Sequence, residues 1–102
     1  MIKVIISKKN NEVKRITITG HANFDSHGKD IVCASVSTMA ITSINAILSI
    51  DNNAINYEES EGLLVIVNKN NDHITNNILT NLINMLNELA TDYPKNISIR
   101  EE

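Results

Sequence analysis

The one cysteine of the chain, Cys33, follows His21 by 12 positions in a stretch from Gly20 to Ser37 that also holds His27, Gly28 and Asp30. A thiolate attacks carbonyl carbon, and an imidazole within reach takes and returns the proton that acyl transfer moves. If Asp30 caps a helix, Cys33 stands at its third helical position, where free N–H groups and the positive end of the helix dipole favour an anion. The same N–H groups are expected to hold an oxyanion. Asp30, Cys33 and Ser37 recur at spacings of three and four, which brings a carboxylate, a thiol and a hydroxyl to one face. The chemistry these residues suit is nucleophilic catalysis by a cysteine.

Other uses of the same residues weigh against this reading. A lone cysteine is commonly a small core residue, and Cys33 and His21 would then serve packing and loop geometry in a non-catalytic binding module. A redox-sensing thiol is a third use. His27, between Ser26 and Gly28 in a polar segment, has no evident anchor. His21, His27 and Cys33 lack the paired spacing of a zinc site, and His73 falls in another element, so no metal and no cofactor is expected.

The elements that must position these residues follow from periodicity. Ile2, Val4 and Ile6 alternate with Lys3, Ile5 and Ser7, and beyond the turn Lys8 to Asn11 the run Val13 to Thr19 places Ile16 and Ile18 on one face, as in a β-hairpin. Gly20 ends the second strand and suits a sharp exit or a close backbone approach. From Asp30 the spacing of Val32, Val36, Met39, Ala40, Ile44, Ile47 and Leu48 predicts a helix running to about Ile50. Ile55 to Glu59 and Leu63 to Asn68 read as strands around a turn at Ser60, Glu61 and Gly62. Leu63 to Val67 is apolar on both faces, which places it inside the sheet or against a partner. Asn70, Asn71 and Asp72 cap a second helix with the stripe Ile74, Ile78, Leu79, Leu82, Ile83, Leu86 and Leu89, stopped at Tyr93-Pro94. Asn96 to Arg100 is a last strand. The order ββαββαβ predicts an α+β sandwich of two layers, with a mixed or mainly antiparallel sheet and two helices.

Length and composition bound the answer further. With 102 residues, 42% of them hydrophobic, and a single proline, the chain suits one domain spanning residues 1–102. Nine Lys and Arg against 12 Asp and Glu give a net charge of −3, so no global positive field draws it to nucleic acid or anionic lipid. Lys8, Lys9, Lys14 and Arg15 read as the solvated end of the hairpin. One cysteine forms no internal disulfide, no stretch is expected to reach the length of a membrane span, and the alternating N-terminus does not form a signal-peptide core, which points to the cytoplasm.

Gly20-His21-Ala22, then Asp30-Ile31-Val32-Cys33-Ala34 with Gly28 two before Asp30, then Ser37, resembles the signature of the ribosomal-processing cysteine protease Prp family. The length, the element order, Asn45-Ala46-Ile47 and Asn56-Tyr57 fit as well, so the resemblance spans the chain. It implies a cytoplasmic endopeptidase that removes a short N-terminal extension from a large-subunit ribosomal protein precursor, cutting after a phenylalanine. By that resemblance Cys33 is the nucleophile and His21 the proton carrier, with Gly20, Asp30 and Ser37 in support. A homodimer is expected, both from the family and from the two-sided apolar strand Leu63 to Val67.

Overall fold

The computed structural model describes residues 1–26, 29–70 and 72–102. Strands β1 (Ile2–Lys9) and β2 (Glu12–Thr19) form an antiparallel hairpin whose two loop residues, Asn10 and Asn11, both have positive φ, 55° and 63°. That is the turn whose twist matches paired strands, and asparagine tolerates it better than most residues. The register shifts once, after Ser7, and this bulge brings Val13 onto the same buried face as Ile16 and Ile18. Two amides complete the bonding there: the Val13 N–H donates to Asn76 Oδ1 and its carbonyl accepts from Asn68 Nδ2, each at 2.9 Å.

The remaining elements are α1 (Ile31–Ile50), β3 (Ile55–Ser60), β4 (Leu63–Asn68), α2 (His73–Asp92) and β5 (Ile97–Glu101), in the expected order ββαββαβ. The sheet runs β3-β4-β2-β1-β5, with β5 parallel to β1 and every other pairing antiparallel, so it is mixed. β4 is an interior strand, as its two apolar faces require. The helices pack against each other and cover one sheet face, where Ile2, Val4, Ile16, Ile18, Ile66 and Ile97 are buried. Ile5, Thr17 and Val65, paired across β1, β2 and β4, project from the other face and are only partly buried.

Helix α1 buries Val32, Val36, Ala40, Ser43, Ile44 and Ile47, and α2 buries Thr75, Leu79, Leu82, Ile83 and Leu86. Two readings of the sequence need correction. Ile74 leaves the apolar stripe of α2 and is exposed, because the covered face of the first turn is the one carrying Thr75, in line with Leu79, Leu82 and Leu86, and Ile74 lies about 100° round the helix from it. α1 is long and apolar enough, by length and composition alone, to cross a membrane, although its apolar stripe is packed into the core. The basic residues of the hairpin end are partly matched by acids, Lys8 with Glu101 at 3.1 Å and Lys14 with Glu12 at 3.6 Å.

This topology gathers distant segments at one edge of the domain. The pairings Lys3 with Thr19 and Thr19 with Leu63 align the start of β1, the end of β2 and the start of β4. The β2–α1 connection, the N-terminus of α1, the β3–β4 turn and the α2–β5 connection meet there.

Candidate active site

Gly20 leaves β2 at φ 87°, and its N–H donates to the Gly62 carbonyl at 2.9 Å. A Cβ at Gly20 would stand 2.5 Å from the Met1 carbonyl oxygen, so the close approach expected of this glycine is against the start of β1. His21 follows, exposed, with its Nε2 only 3.3 Å from where a Cβ on Gly62 would lie. Gly62, itself at φ 70°, thus supplies both the turn and the space for the imidazole. Ala22 is buried, and its N–H donates to Cys33 Sγ at 3.2 Å.

Asp30 caps α1 as expected, and its carboxylate also binds the connection that precedes the helix. Oδ1 accepts from the N–H groups of Val32 and Cys33, both at 3.0 Å, while Oδ2 accepts from Phe24 at 2.9 Å and Asp25 at 3.4 Å. Partial desolvation works to raise the Asp30 pKa. The donors Cys33, Phe24, Asp25 and Val32 outweigh it and hold the carboxyl below its ordinary value. One expectation changes here: the Val32 and Cys33 amides already bond Asp30, and the Ala34 N–H donates to the Asp30 carbonyl at 3.1 Å. These helix-start amides are not free to meet an oxyanion.

His21, Asp30, Cys33 and Ser37 all line one open cavity of about 930 Å³ between α1, the connection from β2 and the β3–β4 turn. Gly20 lines it too. Its apolar wall includes Ile18, Val36, Ala40 and Leu64, and its rim carries Asp25, Glu59 and Glu61. Cys33 is half-buried and Ser37, one turn along α1, is exposed. Among the described residues no hydrogen bond joins the His21 ring to Cys33; the donor on the sulfur is the Ala22 amide. His27 and Gly28 lie outside the described residues. Among the described residues no three of His, Cys, Asp and Glu gather as metal ligands, and His73, on α2, pairs with Asn77.

Two residues of this edge, Asn96 and Phe24, carried no sequence signal of a site. Asn96, in the turn before β5, donates from Nδ2 to the Ala22 carbonyl at 3.0 Å, across 74 positions of sequence. Phe24 packs edge-on against Tyr93, with ring centroids 5.2 Å apart. Ala22 supplies backbone alone. Gly62 was readable as a turn residue, but nothing local connected it with His21.

A half-buried thiol in an open groove, a histidine on the same wall and a two-layer α+β frame together define a cysteine hydrolase of small size, and comparison with known proteins agrees. A family model described as cysteine protease Prp matches residues 1–98. Ribosomal processing cysteine protease Prp of Staphylococcus aureus is 33% identical over 92 residues, 86% of this chain and 86% of its own length. The crystal structure of an essential ribosomal processing protease Prp from S. aureus with a covalently linked product peptide superposes at a TM-score of 0.95, covering all of both chains at 26% identity. The S. aureus protease with a substrate peptide gives a TM-score of 0.89 at 25% identity, again over all of both chains. The chain belongs to the cysteine protease Prp family.

Proposed function

We propose that this protease removes a short N-terminal extension from a large-subunit ribosomal protein precursor, cutting after a phenylalanine, in the cytoplasm and as a homodimer, with Cys33 as nucleophile and His21 as proton carrier. The observation that carries this reading is the placement of Cys33 Sγ and the His21 ring on the walls of one peptide-sized groove. Its support from relatives is that the S. aureus protease has been crystallised with a substrate peptide and with a covalently linked product peptide.

The Cys33 thiolate attacks the scissile carbonyl carbon, forming a C–S bond. The tetrahedral adduct collapses, the C–N bond breaks, and the imidazolium of His21 gives its proton to the leaving amine. A water then attacks the thioester, passing a proton to His21. The C–S bond breaks, releasing the carboxylate product and the thiolate. For this the His21 ring turns from Gly62 towards the sulfur as an extended peptide fills the groove. Asp30 keeps the connection against the helix start, Gly20 lets the chain pass the Met1 carbonyl, and the Ser37 hydroxyl contacts the peptide. The apolar wall suits an aromatic side chain before the cut.

The homodimer rests on the sheet face opposite the helices, where Ile5, Leu63, Val65 and Val67 are partly or fully exposed. Sedimentation of the full chain should give twice the 11.3 kDa of one copy; a species of 11.3 kDa alone removes the dimer from the proposal.

The decisive experiment incubates the protein with a precursor peptide whose extension ends at a Phe–Ala bond. Cleavage after the phenylalanine is expected with the wild type, and binding without cleavage with Cys33→Ala and Cys33→Ser, since acyl transfer needs the thiolate. Trimming by Cys33→Ser at near the wild-type rate would remove Cys33 from the chemistry and leave the sulfur a packing role.

A further inference from the structure

Ala22 is held on both sides of its Cα. Its N–H points to Cys33 Sγ at 3.2 Å, and its carbonyl accepts from Asn96 Nδ2 at 3.0 Å. Asn96 is itself fixed by backbone bonds on both sides: its N–H donates to the Tyr93 carbonyl at 3.0 Å, and its carbonyl accepts from the Ile2 N–H at 2.9 Å. Its side chain therefore projects from a turn anchored to β1 and to the end of α2. Two residues further along the connection, Phe24 rests on Tyr93 of the same turn. The two bonds fall in adjacent peptide groups joined at the buried Ala22 Cα, so anchoring the carbonyl holds the residue in place and restrains where the N–H on the other side of that Cα points.

We propose that Asn96 is a positioning residue of the active site: its side-chain amide anchors the Ala22 carbonyl, and with it the buried residue, so that the Ala22 N–H on the other side of the same Cα stays on Cys33 Sγ and stabilises the thiolate. The inference rests on Cys33 being the nucleophile of the proposed reaction. A hydrogen bond to an ionised acceptor is worth roughly twice one to a neutral acceptor, so an amide held on the sulfur favours the charged form. The role falls to this amide because the Val32 and Cys33 amides of the helix start are engaged by Asp30. Asn96 touches neither sulfur nor substrate and acts only through Ala22.

The charged and titratable groups around the thiol are His21, Asp25 and Asp30 on the connection and Glu59 and Glu61 beside the β3–β4 turn, with Tyr93 and Lys95 next to Asn96. None of them changes in Asn96→Leu, which keeps the same branched arrangement of side-chain atoms, somewhat larger, and has no donor, or in the smaller Asn96→Ala. A difference between the two proteins is therefore not a difference in those charges.

The test measures the rate of Cys33 alkylation by iodoacetamide against pH, together with thermal stability, in the wild type, Asn96→Leu and Asn96→Ala. Both variants should move the alkylation profile upward by about half to one pH unit, a roughly three- to tenfold lower rate at a fixed pH below the midpoint. A profile that stays in place while the melting temperature falls would show that Asn96 only stabilises the fold, and would overturn the proposal. Should neither variant fold, the wild type decides by NMR: the Ala22 amide proton and the Asn96 side-chain amide protons should titrate at the midpoint of Cys33 alkylation, and do so only while the sulfur is present, vanishing in Cys33→Ala. Amide signals that stay fixed through that midpoint would refute it. Alkylation does not depend on peptide cleavage, so loss of the cleavage reading and loss of this inference are separate results.

Discussion

Replacing Asp30 separates two jobs that one carboxylate performs. Oδ1 caps α1 and Oδ2 holds the connection through Phe24 and Asp25. Removing a good N-cap costs about 1 kcal/mol, within a range of roughly 0.5–2. The amides of Phe24 and Asp25 are solvent-exposed, so their loss adds only about 0.5 kcal/mol. At about 4–8 °C per kcal/mol for a domain of this size, Asp30→Ala should melt roughly 6–12 °C below the wild type. Asp30→Ser keeps a cap of comparable strength, but its single oxygen cannot serve both sides. It should melt within about 3 °C of the wild type. Cleavage of the precursor peptide should nevertheless fall about tenfold or more in both variants, because a small displacement of the catalytic groups is expensive in rate. Thermal denaturation followed by circular dichroism, with kcat and KM on the peptide, reads both effects. An Asp30→Ser protein with wild-type stability and wild-type kcat would show that the bond to Phe24 has no part in setting the site.

Gly20 and Gly62, the positive-φ glycines among the described residues, should fail differently when changed to alanine. Gly20→Ala drives a Cβ to 2.5 Å from the Met1 carbonyl, a clash with backbone that should cost about 2 kcal/mol or more and show as a large fall in urea midpoint. Gly62→Ala meets only the edge of the His21 ring at 3.3 Å, so beyond about 1 kcal/mol of left-handed strain its main effect should be a lower kcat; unchanged kcat would remove Gly62 from the seating of His21. Acid should destabilise the protein through two caps, Asp72, lowered first by the Thr75 N–H and then by Asn70, and Asp30, where four donors overcome desolvation. A carboxyl lowered in the folded state binds fewer protons there than in the unfolded chain. Its contribution is thus complete above the unfolded value of about 3.9 and is lost as pH falls through the folded value. The gap in urea midpoint between the wild type and Asp30→Asn/Asp72→Asn should therefore close as pH drops below about 4; a gap that stays constant would contradict the assignment.

What could be read from the sequence was what is local. Alternation gave the first hairpin, a turn at Ser60 to Gly62 before a continuous apolar run gave the second, three-and-four spacing gave both helices, and Asp30 was legible as a cap because a helical pattern begins directly after it. Gly20, His21, Asp30, Cys33 and Ser37 line one cavity; the spacing along α1 put Asp30, Cys33 and Ser37 on one face, whereas the 12 positions from His21 to Cys33 permitted that approach without requiring it. The buried position of Val13 was not legible, because it depends on a register shift that periodicity alone does not announce. Nor was the exposure of Ile74, since the buried face of the first turn is centred on the polar Thr75, which an apolar stripe does not count. The Asn96–Ala22 bond was beyond reach for a stronger reason: it joins residues that only the parallel β1–β5 pairing brings together.

Helix-dipole reasoning and the structure also divide over what steadies the sulfur. A helix start offers its first N–H groups to an anion, yet here the anion they bind is the Asp30 carboxylate, and a second negative charge beside them gains less from a partial positive charge already answered. The amide that does reach Sγ belongs to Ala22, in the connection rather than the helix. The state of Cys33 is thereby tied to where that connection lies. The connection is held by Asp30 on the side of α1, by Asn96 and Tyr93 on the side of β5, and by the Gly20–Gly62 bond on the side of β4. Whatever displaces Ala22 alters the surroundings of the Cys33 thiol without touching the sulfur.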